Sequence, residues 1–240
     1  MYNYRIALAG NPNTGKSTLF NTLTGLRQHT GNWTGKTVLK AEGEYEYNGK
    51  QYTVIDLPGT YSLYSNSADE EVARDYIIFD KPDVTVVVLD ATAMERNLNL
   101  ALQVMEMTKN VVICVNLIDE AEKKGIAVNE KILSNRLGVP VVKISARNKI
   151  GLSNLLDTIE KTIEGKIATN PHHVTYSPSI EKRIASLEPE IRAIFGDDYP
   201  ARWIALRLLD GDTNFLEALQ HKHKTVSVKE AAINGLSFNQ

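Results

Sequence analysis

The chain has 240 residues, 42% hydrophobic and 23% charged, with a formal net charge of −2. That is room for one sizeable core, or one core plus a small second domain. The slight acidity excludes the strongly basic composition of a nucleic-acid binder. A single cysteine, Cys114, excludes an internal disulfide and suits a reducing compartment.

The start, "MYNYRIALAG", passes straight into a predicted strand and lacks the basic start and long apolar core of a signal peptide. Apolar runs such as "VVVL" and "VVICV" fall far short of the roughly 20 residues that span a bilayer. The chain as given is expected to work in water. "GKSTLFNTLTG" predicts a helix closed by Gly25. "KTVLKAEGEYEYNGKQYTVIDLPG" predicts a hairpin turning at Asn48-Gly49. "DVTVVVLDA", "VVICVNLID" and "VPVVKISA" predict strands, separated by the amphipathic helix "AMERNLNLALQVMEMTKN" and followed by the helix "GLSNLLDTIEKTIEG". Such alternation implies crossover units and a mostly parallel sheet covered on both faces. After Gly165 the pattern changes. "KIATNPHHVTYSPS" predicts a linker, and "IEKRIASLEPEIRAIF", "YPARWIALRLLDG" and "TNFLEALQ" predict helices, with "TVSV" the one later candidate strand. The expected division is residues 1–168 as an α/β domain and 171–240 as a small all-helical domain.

Four motifs fall at strand ends. Gly10-Asn11-Pro12-Asn13-Thr14-Gly15-Lys16-Ser17 has the P-loop pattern. Its glycines let successive N–H groups point at phosphate oxygens, and the following helix adds its positive end. Lys16 would reach the β- and γ-phosphates and Ser17 would take a Mg²⁺ position; Thr18 follows in the helix. A glycine loop with a chance lysine is the plain alternative. Asp56 to Gly59, "DLPG", places a carboxylate toward Mg²⁺ and a glycine N–H toward a γ-phosphate. "NLID" places Asn116 and Asp119 after the next-but-one strand. An aspartate can accept both the N1–H and the 2-amino group of guanine, which adenine lacks, so it selects GTP over ATP. In "SAR", Ser145 to Arg147, Ala146 can donate its N–H to the guanine oxygen. Each motif alone is weak; their order is specific.

That order resembles the small GTPases. "GNPNTGKSTLFNTLTG", "GNWTGKTV", "DLPGTYSL", "DATAMERNLNLALQ" and "RWIALRLLDGD" resemble, more closely, the cytoplasmic N-terminal region of the bacterial ferrous-iron transporter FeoB, over most of the chain. The resemblance implies a Ras-like P-loop G domain with a mostly parallel sheet, then a helical domain linking it to a membrane pore. It implies Thr37 as the switch threonine on Mg²⁺, residues 30–36 as a first switch and 56–75 as a second. It also implies potassium activation, with Asn13 and the carbonyls of Gly31 and Trp33 as K⁺ ligands. A cation there would stabilise transition-state charge where other GTPases use an arginine finger. The catalytic set would be Lys16, Thr37, Gly59 and Asn13. The cofactors would be GTP or GDP, Mg²⁺ and K⁺. The expected partner is a transmembrane iron-permeation region, absent from this chain; self-association is possible and no nucleic acid is expected. The expected location is the cytoplasmic side of the bacterial inner membrane.

The sequence departs from general GTPase patterns. Thr60 follows "DLPG" where Ras-like enzymes have a water-orienting glutamine, which predicts slow intrinsic hydrolysis. Leu117 replaces a lysine beside the base, consistent with faster GDP release. Lys36 and Leu39 flank "TV" where relatives carry an apolar residue and a glutamate. Two rivals stand: a stand-alone RNA- or ribosome-associated GTPase, and a nucleotide switch with negligible turnover. His172, His173, His221 and His223 are expected to be solvated rather than metal-binding. Trp203 is expected in the core, and Trp33 as a mobile switch residue, with a core role as the alternative. "ADEEVARD" is expected to be a solvated helix face.

Overall fold

The β-branched runs of the sequence form strands that are buried on both faces, as parallel crossover units require. The computed structural model describes residues 3–25, 28–64 and 67–222. It divides into two compact units, Met1–Val174 and Thr175–Gln240. In chain order the first unit runs β1 (Asn3–Gly10), α1 (Lys16–Thr24), β2 (Gln28–Asn32), β3 (Leu39–Tyr47), β4 (Lys50–Asp56), α2 (Ala68–Asp75) and a π-helical turn (Tyr76–Asp80). It continues through β5 (Val84–Asp90), α3 (Met94–Met107), β6 (Val111–Asn116), α4 (Ile118–Lys123), α5 (Glu130–Leu137), β7 (Val141–Lys143) and α6 (Leu152–Ile163).

Among the described residues one seven-stranded sheet has the order β2-β3-β4-β1-β5-β6-β7. β4, β1, β5, β6 and β7 are mutually parallel, while β3 runs antiparallel to β4 and β2 to β3. Ile6, Leu8, Val86, Val88, Val112 and Cys114 pack one continuous core with Leu19 and Phe20 of α1 and Leu155 and Ile159 of α6. Burial raises the Cys114 thiol far above its ordinary range, so it stays neutral and inert. The hairpin turns at Asn48-Gly49, both in the left-handed region. On its far side Tyr45 stacks on Tyr52 at 4.8 Å and 7° between planes.

The sheet is larger than the sequence predicts. β2 is an edge strand whose last three residues, 30–32, overlap the stretch expected to be first-switch loop; its ladder to β3 and the Gln28 side-chain bonds to Asn21, Thr24 and Gly25 hold it. Trp33 follows directly. It is half-buried, with its ring edge-on to Tyr76 at 5.4 Å and Lys40 over its face at 5.4 Å. Apolar ring area thus docks the residue expected to be mobile. The "ADEEVARD" helix is also less solvated than expected: Val72 and Ala73 are buried, and so is Arg74, at 1% exposure, beside Asp75. The linker is tied down as far as residue 174. Asn170 N–H donates to the Gly138 carbonyl, His172 N–H to Leu137, and the buried Glu106 carboxylate takes His173 Nδ1 at 2.8 Å and Val174 N–H at 3.1 Å.

The second unit holds α7 (Pro178–Phe195), α8 (Ala201–Asp210) and α9 (Thr213–Lys222). Arg202 of α8 forks onto both carboxylate oxygens of Glu181 in α7 at 2.8 Å each. Trp203 is buried, edge-on to Phe215 at 4.6 Å, as the helical spacing predicts. His223 and the "TVSV" segment lie outside the described residues. No described helix is long and apolar enough to cross a membrane.

Candidate functional site

In an open parallel sheet, ligands sit beyond the carboxyl ends of the strands. The P-loop leaves β1, "DLPG" leaves β4, "NLID" leaves β6 and "SAR" follows β7, so the sheet order brings all four motifs to one edge.

At the phosphate end, backbone approach dictates the residue types. A Cβ on Gly10 would lie 2.7 Å from the Val88 carbonyl. Gly15 caps α1 with φ 79°, and a Cβ there would lie 2.3 Å from Asn116 Nδ2. Only glycine meets both demands. Asn13 also adopts the left-handed region, φ 66°, and is exposed. The Thr14 hydroxyl donates to the Asn11 carbonyl at 3.0 Å and is buried. The segment after β4 meets this loop, with Thr60 N–H donating to the Gly10 carbonyl at 3.3 Å. Lys16 is buried and pairs with the Asp56 carboxylate and the Leu57 carbonyl. The Ser17 hydroxyl donates to the other Asp56 oxygen at 3.0 Å. Thr18 is exposed on the first turn of α1. Gly59 backs onto Pro12.

Thr37, Gly31 and Trp33 are arranged differently. Thr37 is exposed and has no side-chain hydrogen bond among the described residues. Gly31 pairs with Lys40 in the β2–β3 ladder, and the Trp33 carbonyl accepts the Lys36 N–H at 3.0 Å. Lys36 in turn pairs with Glu71 of α2, and Trp33 meets Tyr76, so the β2–β3 connection touches the α2 region through an ion pair and a ring contact. Burial lifts the Tyr76 phenol to about 12, which keeps it neutral. No group of three or more metal-ligating His, Cys, Asp or Glu side chains exists among the described residues.

At the base end, one side chain spans two loops. Asn116 is 1% exposed; its Nδ2 donates to the Thr14 carbonyl at 2.9 Å and its Oδ1 accepts the Ala146 N–H at 3.0 Å. Leu117 caps α4 at φ 63° and turns the chain so that Asp119 falls in the first helical turn. The buried Ser145 hydroxyl lies beside Asp119 without a hydrogen bond of good geometry. Together with the Asp119 backbone N–H, Lys123 and Asn148, it holds the carboxyl below the usual range. Asn148, which no motif flags, donates from Nδ2 to Asp119 Oδ2 at 2.9 Å.

A loop that cradles anions against a helix start, answered across the sheet edge by a carboxylate locked in place, defines a class: the P-loop G domain. Comparison with known proteins narrows the class. Residues 4–159 match the family model described as ferrous iron transport protein B, and residues 176–237 match the FeoB cytosolic helical domain. The chain belongs to the ferrous iron transport protein B family. It is 43% identical over 240 residues to the Fe(2+) transporter FeoB of Methanocaldococcus jannaschii, covering 99% of this chain and 36% of that one. It is 39% identical over 214 residues to that of Escherichia coli K12, covering 86% of this chain and 27% of that one. It therefore spans only about a third, or less, of these relatives' length. Among solved structures, the cytosolic domain of T. maritima FeoB in a GDP form aligns with a TM-score of 0.84 at 36% identity, over 98% of this chain and 91% of that one. The cytosolic domain of L. pneumophila FeoB aligns with 0.80 at 32% identity, over 97% and 94%.

Proposed function

We propose that this chain is the guanine-nucleotide-controlled part of a ferrous-iron transporter, acting at the cytoplasmic face of the cell membrane on a permeation region outside the chain. The observation that supports this reading is the Asn116 bridge, which ties the Thr14 carbonyl of the loop after β1 to the Ala146 N–H of the loop after β7. Residues 1–168 would form the nucleotide domain and 171–240 a helical domain relaying its state.

In this reading Lys16 and the P-loop N–H groups hold the phosphates, Gly59 N–H meets the γ-phosphate, and Asp119 and the Ala146 N–H hold guanine. Ser17 and Asp56 offer a hydroxyl and a carboxylate within 3.0 Å, a hard-oxygen set that fits Mg²⁺, with Thr37 the third oxygen from the first switch. A bound Mg²⁺ would neutralise charge on the phosphates. For potassium, the exposed Asn13 amide supplies a suitable oxygen donor, whereas Gly31 and Trp33 are engaged in the β2–β3 ladder and its turn. Thr60 offers no water-orienting amide, so unaided turnover is slow.

The test is GTP turnover in KCl against NaCl at equal ionic strength, with Asn13→Ala and Asp119→Asn alongside. The expected outcome is stimulation by potassium that Asn13→Ala loses, and a switch of base preference from guanine to xanthine in Asp119→Asn. Equal rates in both salts remove the potassium role. Turnover near zero under every condition leaves a nucleotide switch. Unchanged base preference in Asp119→Asn removes the guanine assignment.

A further inference from the structure

The Asp119 carboxylate is held asymmetrically. Oδ2 accepts the Asn148 Nδ2 donor at 2.9 Å. Oδ1 is buried and, although the Ser145 hydroxyl lies beside the carboxyl group, makes no hydrogen bond within normal geometry among the described residues. A buried, unpartnered carboxylate oxygen is costly to keep, so it marks a place meant for an incoming donor.

Asn148 is itself well placed to orient that carboxylate. It lies in a short loop closed at its base by two backbone hydrogen bonds, Ser145 N–H to the Ile150 carbonyl and Ile150 N–H to the Ser145 carbonyl, both 3.1 Å. Inside that loop the Lys149 backbone takes φ 57°, which turns the chain sharply, and Asn148 N–H points at the Ser145 hydroxyl at 3.4 Å. The same loop carries the Ala146 N–H that Asn116 fixes. The donor that aims Asp119 is thus mounted on the element that frames the other side of the base.

We propose that Asn148 is a positioning residue. By tethering Oδ2 it fixes the plane of the Asp119 carboxylate and sets the preference for a purine that carries a 2-amino group. This rests on the reading of Asp119 as the guanine acceptor. Each carboxylate oxygen has two acceptor sites, so Oδ2 keeps its Asn148 bond while also taking one base N–H, and Oδ1 takes the other. Without the tether the carboxylate rotates. The N1–H bond survives in some rotamer, but the paired geometry that also engages the 2-amino group is lost.

The experiment is equilibrium binding of GDP and of inosine diphosphate, which keeps N1–H but lacks the 2-amino group. It compares the unaltered chain, Asn148→Ala, Asn148→Asp and Asp119→Asn. The expected result is a GDP-to-IDP affinity ratio that falls about three- to tenfold in Asn148→Ala, with IDP affinity changed less than about twofold. Asn148→Asp keeps the shape but sets a like charge beside Asp119, and should lower GDP affinity at least as far, with partial recovery toward pH 5 as carboxylates protonate. A ratio unchanged in both Asn148 variants, or an equal fall for both nucleotides, overturns the proposal. Asp119→Asn separates the two levels: gain of xanthosine diphosphate binding supports the guanine reading whatever Asn148 does, and no change in base preference removes that reading and this proposal with it.

Discussion

The two ends of the site are built by different rules. At the base end, recognition groups are held by buried neighbours: Asn116 is fixed to two backbone groups, and Ser145 and Ala146 are buried beside it. At the phosphate end, the working side chains hold one another. Lys16 and Ser17 each take one oxygen of the Asp56 carboxylate, and Thr37 and Asn13 face solvent. In the proposed reading, Lys16 and Ser17 would exchange partners to meet phosphate oxygens, whereas Asp119 would exchange none to meet a base. Selectivity needs a preorganised frame, whereas a switch needs groups whose partners differ between states. The proposed reading gives one task to each end.

This contrast can be broken. The largest effect is expected from Lys16→Ala, which should lower GTP turnover by roughly 10²-fold or more, the usual result of removing a charge-stabilising donor. Phosphate release at saturating GTP measures it, and turnover within a few fold of the unaltered chain would deny Lys16 its role. Next comes Asn116→Ala. Losing one side chain that satisfies two buried backbone groups should cost about 2–4 kcal/mol, or roughly 5–10 °C in Tm for a chain of this size. A thermal melt without nucleotide checks it, and an unchanged Tm would show that the base end is not held by Asn116, collapsing the comparison.

The smallest effect is expected away from both ends. There Lys50 pairs with Glu160 and Glu164, and Asn48 with Glu160, tying the β3–β4 hairpin to α6. Lys166, and then Lys50, pull the Glu164 carboxyl down to about 2. Its folded value lies below the unfolded value of about 4.3, so its contribution is full above pH ~4.3 and fades as pH falls toward 2. Glu160 moves in the same direction, Lys50 first. Lys50 is raised by the same partners, so its contribution is full below pH ~10.4 and is lost only above that. Urea midpoints should be flat from pH 5 to 9 and decline below 4.3. In Lys50→Met that acid decline should be shallower, with GTP turnover at pH 7 unchanged.

Much of this was legible in the sequence because its causes are local. Gly10 and Gly15 announce close backbone approach, and Asn48-Gly49 announces the hairpin. Five apolar runs give five parallel strands. What escaped depends on distant partners. "QHTGN" has no alternation, and becomes β2 because β3 offers it an edge and Gln28 anchors it to the end of α1. Arg74 reads as one charge in a run, and its burial comes from how α2 packs. Asn148 belongs to no motif, and its importance comes only from Asp119 standing 2.9 Å away. α5 is different, since Asn129 caps it by accepting the Ile132 N–H and Gly138 ends it in the left-handed region. Those signals were present locally.

The aromatic contacts have an optical consequence. The chain contains two tryptophans, one in each unit. Trp33 sits half-exposed in the stretch expected to be the first switch, against Tyr76 and under Lys40. Trp203 is sealed at 3% exposure against Phe215, with Arg207 over its ring at 5.5 Å. Unlabelled protein therefore carries two intrinsic fluorophores in different surroundings, a redder one reporting on the switch and a bluer one on the helices. Replacing Trp203 with phenylalanine would leave emission that follows the first switch alone, in real time and without a dye.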